Sequence, residues 1–213
     1  MTADSTTLLA HFGLIPKTLP KLADGAEYLA VRLPHGLPEA CLDASEHQRA
    51  TAYGNPVTAR HFTASRVLLR AVLGHYLGCA PAAIAYSVQD HGKPVLAAPH
   101  TSQLHFSLAR RDGWCAIALC RNQPVGVDIE QVRELSEMDD VAALYFSAQD
   151  CKALNQLSGS AKQKRFFELW TALEAMGKRL GLRLTEAGEA SGNKSAHVSH
   201  NYLETRWLVA VAV

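Results

Sequence analysis

Three carboxylates in two short stretches are the residues of this sequence best suited to chemistry. Asp128 and Glu130 lie in Val125-Gly126-Val127-Asp128-Ile129-Glu130, and Glu174 lies in Trp170-Thr171-Ala172-Leu173-Glu174-Ala175-Met176-Gly177-Lys178. Alternation in the first stretch predicts a strand with its aliphatic residues on one face and both acids on the other, about 7 Å apart. Mg²⁺ prefers a few carboxylates together with waters and substrate phosphate oxygens. The acids therefore predict a magnesium site, provided that the two stretches meet in space.

Each acid also has an ordinary structural interpretation. Glu174 and Lys178 are spaced i and i+4 on a predicted helix, where a surface ion pair contributes a few tenths of a kcal/mol. Asp128 and Glu130 could instead be exposed beside a turn, although two acids on a mainly apolar strand are unfavourable to bury without a partner or a metal. On the same face of the strand, Gly126 predicts room for a ligand close to the backbone.

The elements that must position these residues follow the same order in each half of the chain. The first half predicts an irregular segment over 1–26, strand 27–33, helices 40–52 and 57–77, and short strands between 84 and 120. The second predicts strand 125–130, helices 141–146 and 161–180, a short strand at 183–187 and a closing hairpin over 196–213. This layout predicts an α+β protein of two similar α/β subdomains, 1–120 and 121–213, without a repeat in the sequence itself.

Several basic residues have competing interpretations. Arg60, Arg66 and Arg70 decorate the predicted helix over 57–77, where a solvated face is the simpler expectation and phosphate contact the alternative. Arg110 and Arg111 fall at the tip of a predicted hairpin, where solvent is again the simpler expectation.

Composition narrows the function classes. The 213 residues are 48% hydrophobic with a formal net charge of +1, which favours a well-formed core and argues against non-specific binding to nucleic acid or membranes. The sequence shows no apolar run long enough to span a bilayer and no signal-peptide pattern, so we expect a cytoplasmic protein. Its five cysteines include no C-x-x-C pair and are expected to be free thiols.

Taken in order, these motifs resemble those of the Sfp-type 4′-phosphopantetheinyl transferases. The resemblance covers roughly residues 45–213 and rests on five segments: Gly92-Lys93-Pro94, Leu104 to Arg110, Val125 to Glu130, Phe146-Ser147-x-x-Asp150 and Trp170 to Lys178. It implies a monomer of two similar subdomains with the active site in the cleft between them. It also implies transfer of the 4′-phosphopantetheine group from coenzyme A to a serine of an acyl or peptidyl carrier protein, with Mg²⁺ as cofactor.

The resemblance assigns roles to individual acidic and basic residues. Asp128, Glu130 and Glu174 match the family's metal ligands, and Glu174 is also the candidate base. Lys178 matches the lysine that contacts the pyrophosphate of coenzyme A. The catalytic residues implied are therefore Glu174, Lys178 and Asp128.

The coenzyme A phosphates are expected to contact basic residues from the first half of the chain. Arg49 and Lys93 match basic positions of the family, and Arg110 stands where the family has a histidine. Arginine can hold a phosphate through two parallel hydrogen bonds, so Arg110 is expected to bind coenzyme A as well. Leu173 stands where the family has a lysine, which leaves an alternative open: a catalytically impaired homologue that binds coenzyme A or carrier proteins.

Overall fold

The computed structural model describes residues 3–22, 25–89, 92–100, 104–191 and 197–213. The first half contains helices α1 (Ser5–Ala10), α2 (Ala44–Thr51) and α3 (Pro56–Leu77), and strands β1 (Ala26–Arg32), β2 (Tyr86–Val88), β3 (Pro94–Leu96), β4 (Leu104–Arg111) and β5 (Trp114–Arg121). The second contains strands β6 (Gly126–Gln131), β7 (Val198–Leu203) and β8 (Trp207–Ala212), and helices α4 (Met138–Tyr145), α5 (Ala148–Leu154), α6 (Gly159–Leu180) and α7 (Leu184–Ser191).

Two antiparallel sheets with the same arrangement organise the chain. The first has the strand order β1-β5-β4 and the second β6-β8-β7, so the last strand of a hairpin lies at the centre of each. Each half also contributes one 22-residue helix, α3 or α6, which ends at a glycine in the left-handed conformation, Gly78 or Gly181. The predicted α+β fold of two similar α/β units is confirmed, whereas the boundary at residues 120–121 stays a prediction.

The two sheets pack against each other, and each has its other face covered by helices. On β5, Cys115, Ile117 and Leu119 join the cluster that includes α1 and α3. Their neighbours Ala116, Ala118 and Cys120 join a second cluster with the aliphatic residues of β6 and β8. Alternate residues of β8 pack on helices of the second half, α6 among them. Both central strands are therefore apolar on both faces.

A buried ion-pair network fixes α2 on α3, against the expectation of a solvated helix face. Arg70 is fully buried; its Nε donates to Oε2 of Glu46 at 2.6 Å and its Nη2 to Oδ2 of Asp43 at 2.6 Å. The other Glu46 oxygen accepts from Nε of Arg66 at 2.8 Å. Sequence spacing showed these arginines on a helix but not that acidic groups of α2 would meet them. Arg49, in the last turn of α2, lies over the ring of Phe62 on α3.

Two local predictions were wrong. The N-terminal segment, predicted to be irregular, contains α1, which Asp4 caps by accepting a hydrogen bond from the Thr7 amide. Of residues 183–187, predicted as a strand, the last four form the first turn of α7, and the amide of Arg183 donates to the Glu186 carboxylate. Side-chain capping stabilises the start of both helices. The helices are too short for the spacing of their apolar residues to predict them. No helix in the described parts of the chain has the length and hydrophobicity to cross a membrane.

Candidate active site

Close packing of α6 on β6 brings the two acidic stretches together. A Cβ atom at Gly126 would overlap the carbonyl oxygen of Ala175 and lie 2.6 Å from the amide nitrogen of Arg179. The missing side chain therefore makes room for a helix, and not for a ligand as the sequence had suggested. Glu174 and Lys178 lie next to these two contact residues on α6, which sets them beside the acidic face of β6.

The ammonium group of Lys178 bridges the two stretches. Its Nζ donates to Oδ1 of Asp128 at 2.7 Å, and the Asp128 side chain is only 8% exposed. The second oxygen, Oδ2, is buried and has no hydrogen-bond partner among the described residues. A buried carboxylate oxygen without a partner is unfavourable in a protein interior, so this atom is available to a cation.

Glu130 is partly buried, with its Oε2 atom out of contact with solvent, and Arg111 lies beside it. Oε2 of Glu130 is 3.3 Å from Nε of Arg111, an ion-pair distance, but the two atoms lack hydrogen-bond geometry. Burial raises the pKa of Glu130 to about 7; Arg111 opposes this rise, and the charges of Asp128 and Glu174 add to it. Burial likewise raises the pKa of Glu174, and Lys178 opposes that rise. Burial thus disfavours the ionised form of both carboxyl groups, and a cation bound beside them would favour it.

The acids fit a magnesium ion that shares its ligands with a substrate. Within the described residues no three His, Cys, Asp or Glu side chains form a ready-made metal cage. Asp128 and Glu130 nevertheless each present one buried oxygen that has no hydrogen-bond partner in the described parts of the chain. Mg²⁺ usually keeps several waters and binds one or two carboxylates plus phosphate oxygens, so this donor set suits it.

A cavity of about 310 Å³ opens beside the acids, between α3, β4 and the end of α6. Five of the seven predicted site residues line it: Arg49, Lys93, Arg110, Glu174 and Lys178. Asp128 and Glu130 are not among its lining residues; Asp128 is joined to the cavity through Lys178. The fold thus places basic residues of the first half opposite α6 of the second.

The first-half wall of the cavity is strongly basic and has an aromatic centre. The guanidinium carbons of Arg110, Arg49 and Arg66 lie 5.1, 5.6 and 6.0 Å from the centroid of Phe62. Nη1 of Arg110 is 3.5 Å from Oγ of Ser65. Such an arrangement suits a polyanionic ligand with a planar or apolar part.

Lys93 lies where the cavity meets the end of α6. Its Nζ donates to the carbonyl oxygen of Arg179 at 2.8 Å. Burial, together with the charge of Arg179, lowers the pKa of Lys93 to about 8. The lysine is therefore held in place but carries its proton less firmly than an exposed lysine does.

Comparison with known proteins identifies the family. Residues 124–208 match the 4′-phosphopantetheinyl transferase superfamily. The chain is 33% identical over 174 residues to the 4′-phosphopantetheinyl transferase HetI of Nostoc sp., an alignment that covers 78% of this chain and 73% of HetI. The chain belongs to the 4′-phosphopantetheinyl transferase superfamily. The predicted family and its class of enzyme, a phosphopantetheinyl transferase, are thereby confirmed.

Other relatives align over a smaller share of their length. A putative 4′-phosphopantetheinyl transferase of Synechocystis sp. is 29% identical over 67% of this chain and 58% of its own. Sfp of Bacillus subtilis is 28% identical over 56% of this chain and 51% of its own. The chain thus spans between about half and three quarters of these relatives. None of the three is named as a non-catalytic binder, so they give no support to the impaired alternative.

Within this transferase, the tertiary structure reveals neighbours of the acids that the sequence motifs did not. Oγ of Ser107, on β4, accepts the amide hydrogen of Val127 at 3.1 Å and so ties β4 to β6. Arg111 was expected in solvent at a hairpin tip but contacts Glu130. Leu173, at the family's lysine position, is 6% exposed and does not line the cavity. These residues are recognised only by where they lie relative to the acids in the folded chain. The sequence alone does not give such distances, so no motif pointed to them.

Proposed function

We propose that this transferase moves the 4′-phosphopantetheine group of coenzyme A onto a serine of an acyl or peptidyl carrier protein, in a Mg²⁺-dependent reaction. One observation carries the proposal. The 2.7 Å contact between Lys178 and Asp128 joins the two acidic motifs at the edge of a basic cavity. Family membership supports the reaction, and the geometry supports the assignment of residues.

The basic wall of the cavity is the proposed site of the coenzyme A phosphates. Arg49 and Arg110 flank Phe62, and Lys93 reaches the cavity from the loop before β3. Positive side chains that hold phosphates in position supply most of what phosphoryl transfer requires from a protein. Lys178 is placed to neutralise charge that develops on the pyrophosphate.

The proposed reaction is a displacement at the β-phosphate of coenzyme A. The serine oxygen of the carrier forms a new bond to that phosphorus, the bond to the bridging oxygen breaks, and 3′,5′-ADP leaves. Glu174 accepts the proton of the serine hydroxyl; burial raises the pKa of Glu174, which makes the carboxylate a better proton acceptor than an exposed one.

Asp128, Glu130 and Glu174 are the proposed ligands of Mg²⁺. When bound, the ion would neutralise phosphate charge and orient the pyrophosphate. Lys178 must then share Asp128 with the ion, which the carboxylate permits because its second oxygen has no hydrogen-bond partner among the described residues. The proposed protein is a monomer of the cytoplasm, and its partners are coenzyme A and a carrier protein.

The test is to incubate the protein with coenzyme A, Mg²⁺ and a panel of apo carrier proteins, and to measure each carrier by mass spectrometry. We expect one carrier or more to gain a phosphopantetheine group on its serine. Asp128→Asn should lower the rate on the order of 100-fold or more. Asp139→Asn, at an exposed acid of α4 that pairs with Lys162, is the matched control and should leave the rate unchanged. Failure of every carrier to gain mass would refute the proposal.

A further inference from the structure

Arg111 is a charged residue beside the acids whose role neither the motifs nor the proposed reaction explains. It is the last residue of β4, and its Nε lies 3.3 Å from Oε2 of Glu130 and 3.4 Å from Oδ2 of Asp112. The Glu130 side chain is 14% exposed and that of Asp112 is 65% exposed. The buried partner interacts more strongly with the guanidinium because water screens the exposed one.

Arg111 and Glu130 attract each other as an ion pair but form no hydrogen bond with each other. Both Nε of Arg111 and Oε2 of Glu130 are buried, and neither has a hydrogen-bond partner among the described residues. The arginine therefore neutralises the carboxylate but leaves its lone pairs open to another cation. Lys178 has a comparable position at Asp128, where its hydrogen bond occupies only one oxygen.

We infer that Arg111 is a built-in counter-cation that sets the metal affinity of the acidic site, a role that rests on the proposed function. It holds Glu130 in the absence of metal and repels a divalent ion that approaches the same carboxylate. The ion then binds well only when the substrate's phosphates add negative charge and further oxygen ligands. Arg111 is thus a positioning residue for Glu130 and couples metal entry to substrate binding.

The size of the effect follows from Coulomb's law. A unit charge about 6 Å from a divalent ion changes its affinity by about tenfold in a water-like dielectric. Removing the positive charge of Arg111 should therefore tighten metal binding in the absence of coenzyme A by about that factor. Salt should weaken the effect, since the Arg111 side chain is 37% exposed.

The experiment is a titration of the protein with Mn²⁺ alone, in which free Mn²⁺ is followed by electron paramagnetic resonance. Arg111→Gln and Arg111→Met should each bind Mn²⁺ about tenfold more tightly than the wild type. Arg111→Lys keeps the charge and should bind Mn²⁺ like the wild type. Arg121→Gln is the matched control, because Arg121 is exposed and pairs with Leu104, at the opposite end of the β4–β5 hairpin from Arg111. Thermal unfolding verifies that each variant is folded.

The possible results separate this inference from the proposed function. Unchanged or weaker Mn²⁺ binding in both neutral variants would overturn it, as would equal tightening in Arg121→Gln, since the cause would then be net charge. Mn²⁺ binding that survives Asp128→Asn would place the ion elsewhere and also overturn it. Transfer to a carrier protein is measured separately, so either of the first two results would leave the proposed function standing.

Discussion

Replacing Gly126 with alanine should separate α6 from β6 and disassemble the candidate site. The added methyl group would overlap the carbonyl oxygen of Ala175 and lie 2.6 Å from the amide nitrogen of Arg179. Both obstacles are helix backbone, which cannot move aside as a flexible side chain can. Overpacking costs about 1–3 kcal/mol when side chains can adjust, so we expect a loss near the upper end, about 3 kcal/mol. For a chain of this length that corresponds to a melting temperature lower by about 6–12 °C.

Differential scanning calorimetry measures the stability, and calorimetric titration with coenzyme A reports on the site. Gly54→Ala is the control, because a Cβ atom at Gly54 meets nothing within 4 Å. We expect Gly126→Ala to lose both stability and coenzyme A affinity, since Glu174 and Lys178 would move with the helix. A Gly126→Ala protein that melts with the wild type and binds coenzyme A equally well would refute the close packing of α6 on β6.

Three further predictions concern individual side chains. Lys93, whose pKa burial lowers to about 8, loses its proton as pH rises through that value, so coenzyme A affinity measured by calorimetry should fall between about pH 7 and 9. Lys93→Arg should remove this dependence because arginine stays charged. Arg70→Met removes one of the two arginines that neutralise the buried Glu46 and should lower the free energy of unfolding by about 3 kcal/mol in urea titration. Leu173→Lys should lower stability and not restore a family function, because Leu173 is buried on α6.

Each of these predictions has a result that would contradict it. Coenzyme A affinity that is constant across the pH window would show that Lys93 does not hold a phosphate in its charged form. An Arg70→Met protein as stable as the wild type would mean that the network with Glu46 is not formed in solution. A Leu173→Lys protein with unchanged stability and faster carrier modification would instead place residue 173 at the reaction site. Lys164→Met, at a lysine that lies over the Tyr202 ring, serves as a surface control for all three.

The acidic half of the site could be predicted from sequence because local periodicity determines it. A strand alternates its side chains, so Asp128 and Glu130 share a face wherever the strand lies. A helix places residues i and i+4 together, so Glu174 and Lys178 share a side of α6. These relations depend only on the neighbouring backbone, and the described structure contains both.

Contacts between distant elements were decided by tertiary structure alone. Glycine at 126 was compatible with an approaching ligand or an approaching helix, and only the packing of α6 shows that it is the helix. The sequence placed Arg70 and Arg111 on solvated surfaces because charged residues are usually exposed. Acids from other elements meet both, which offsets part of the cost of burying Arg70 and of partly burying Arg111. Charge and periodicity are local properties of a sequence, whereas the partner that neutralises a charge is set by how the chain packs.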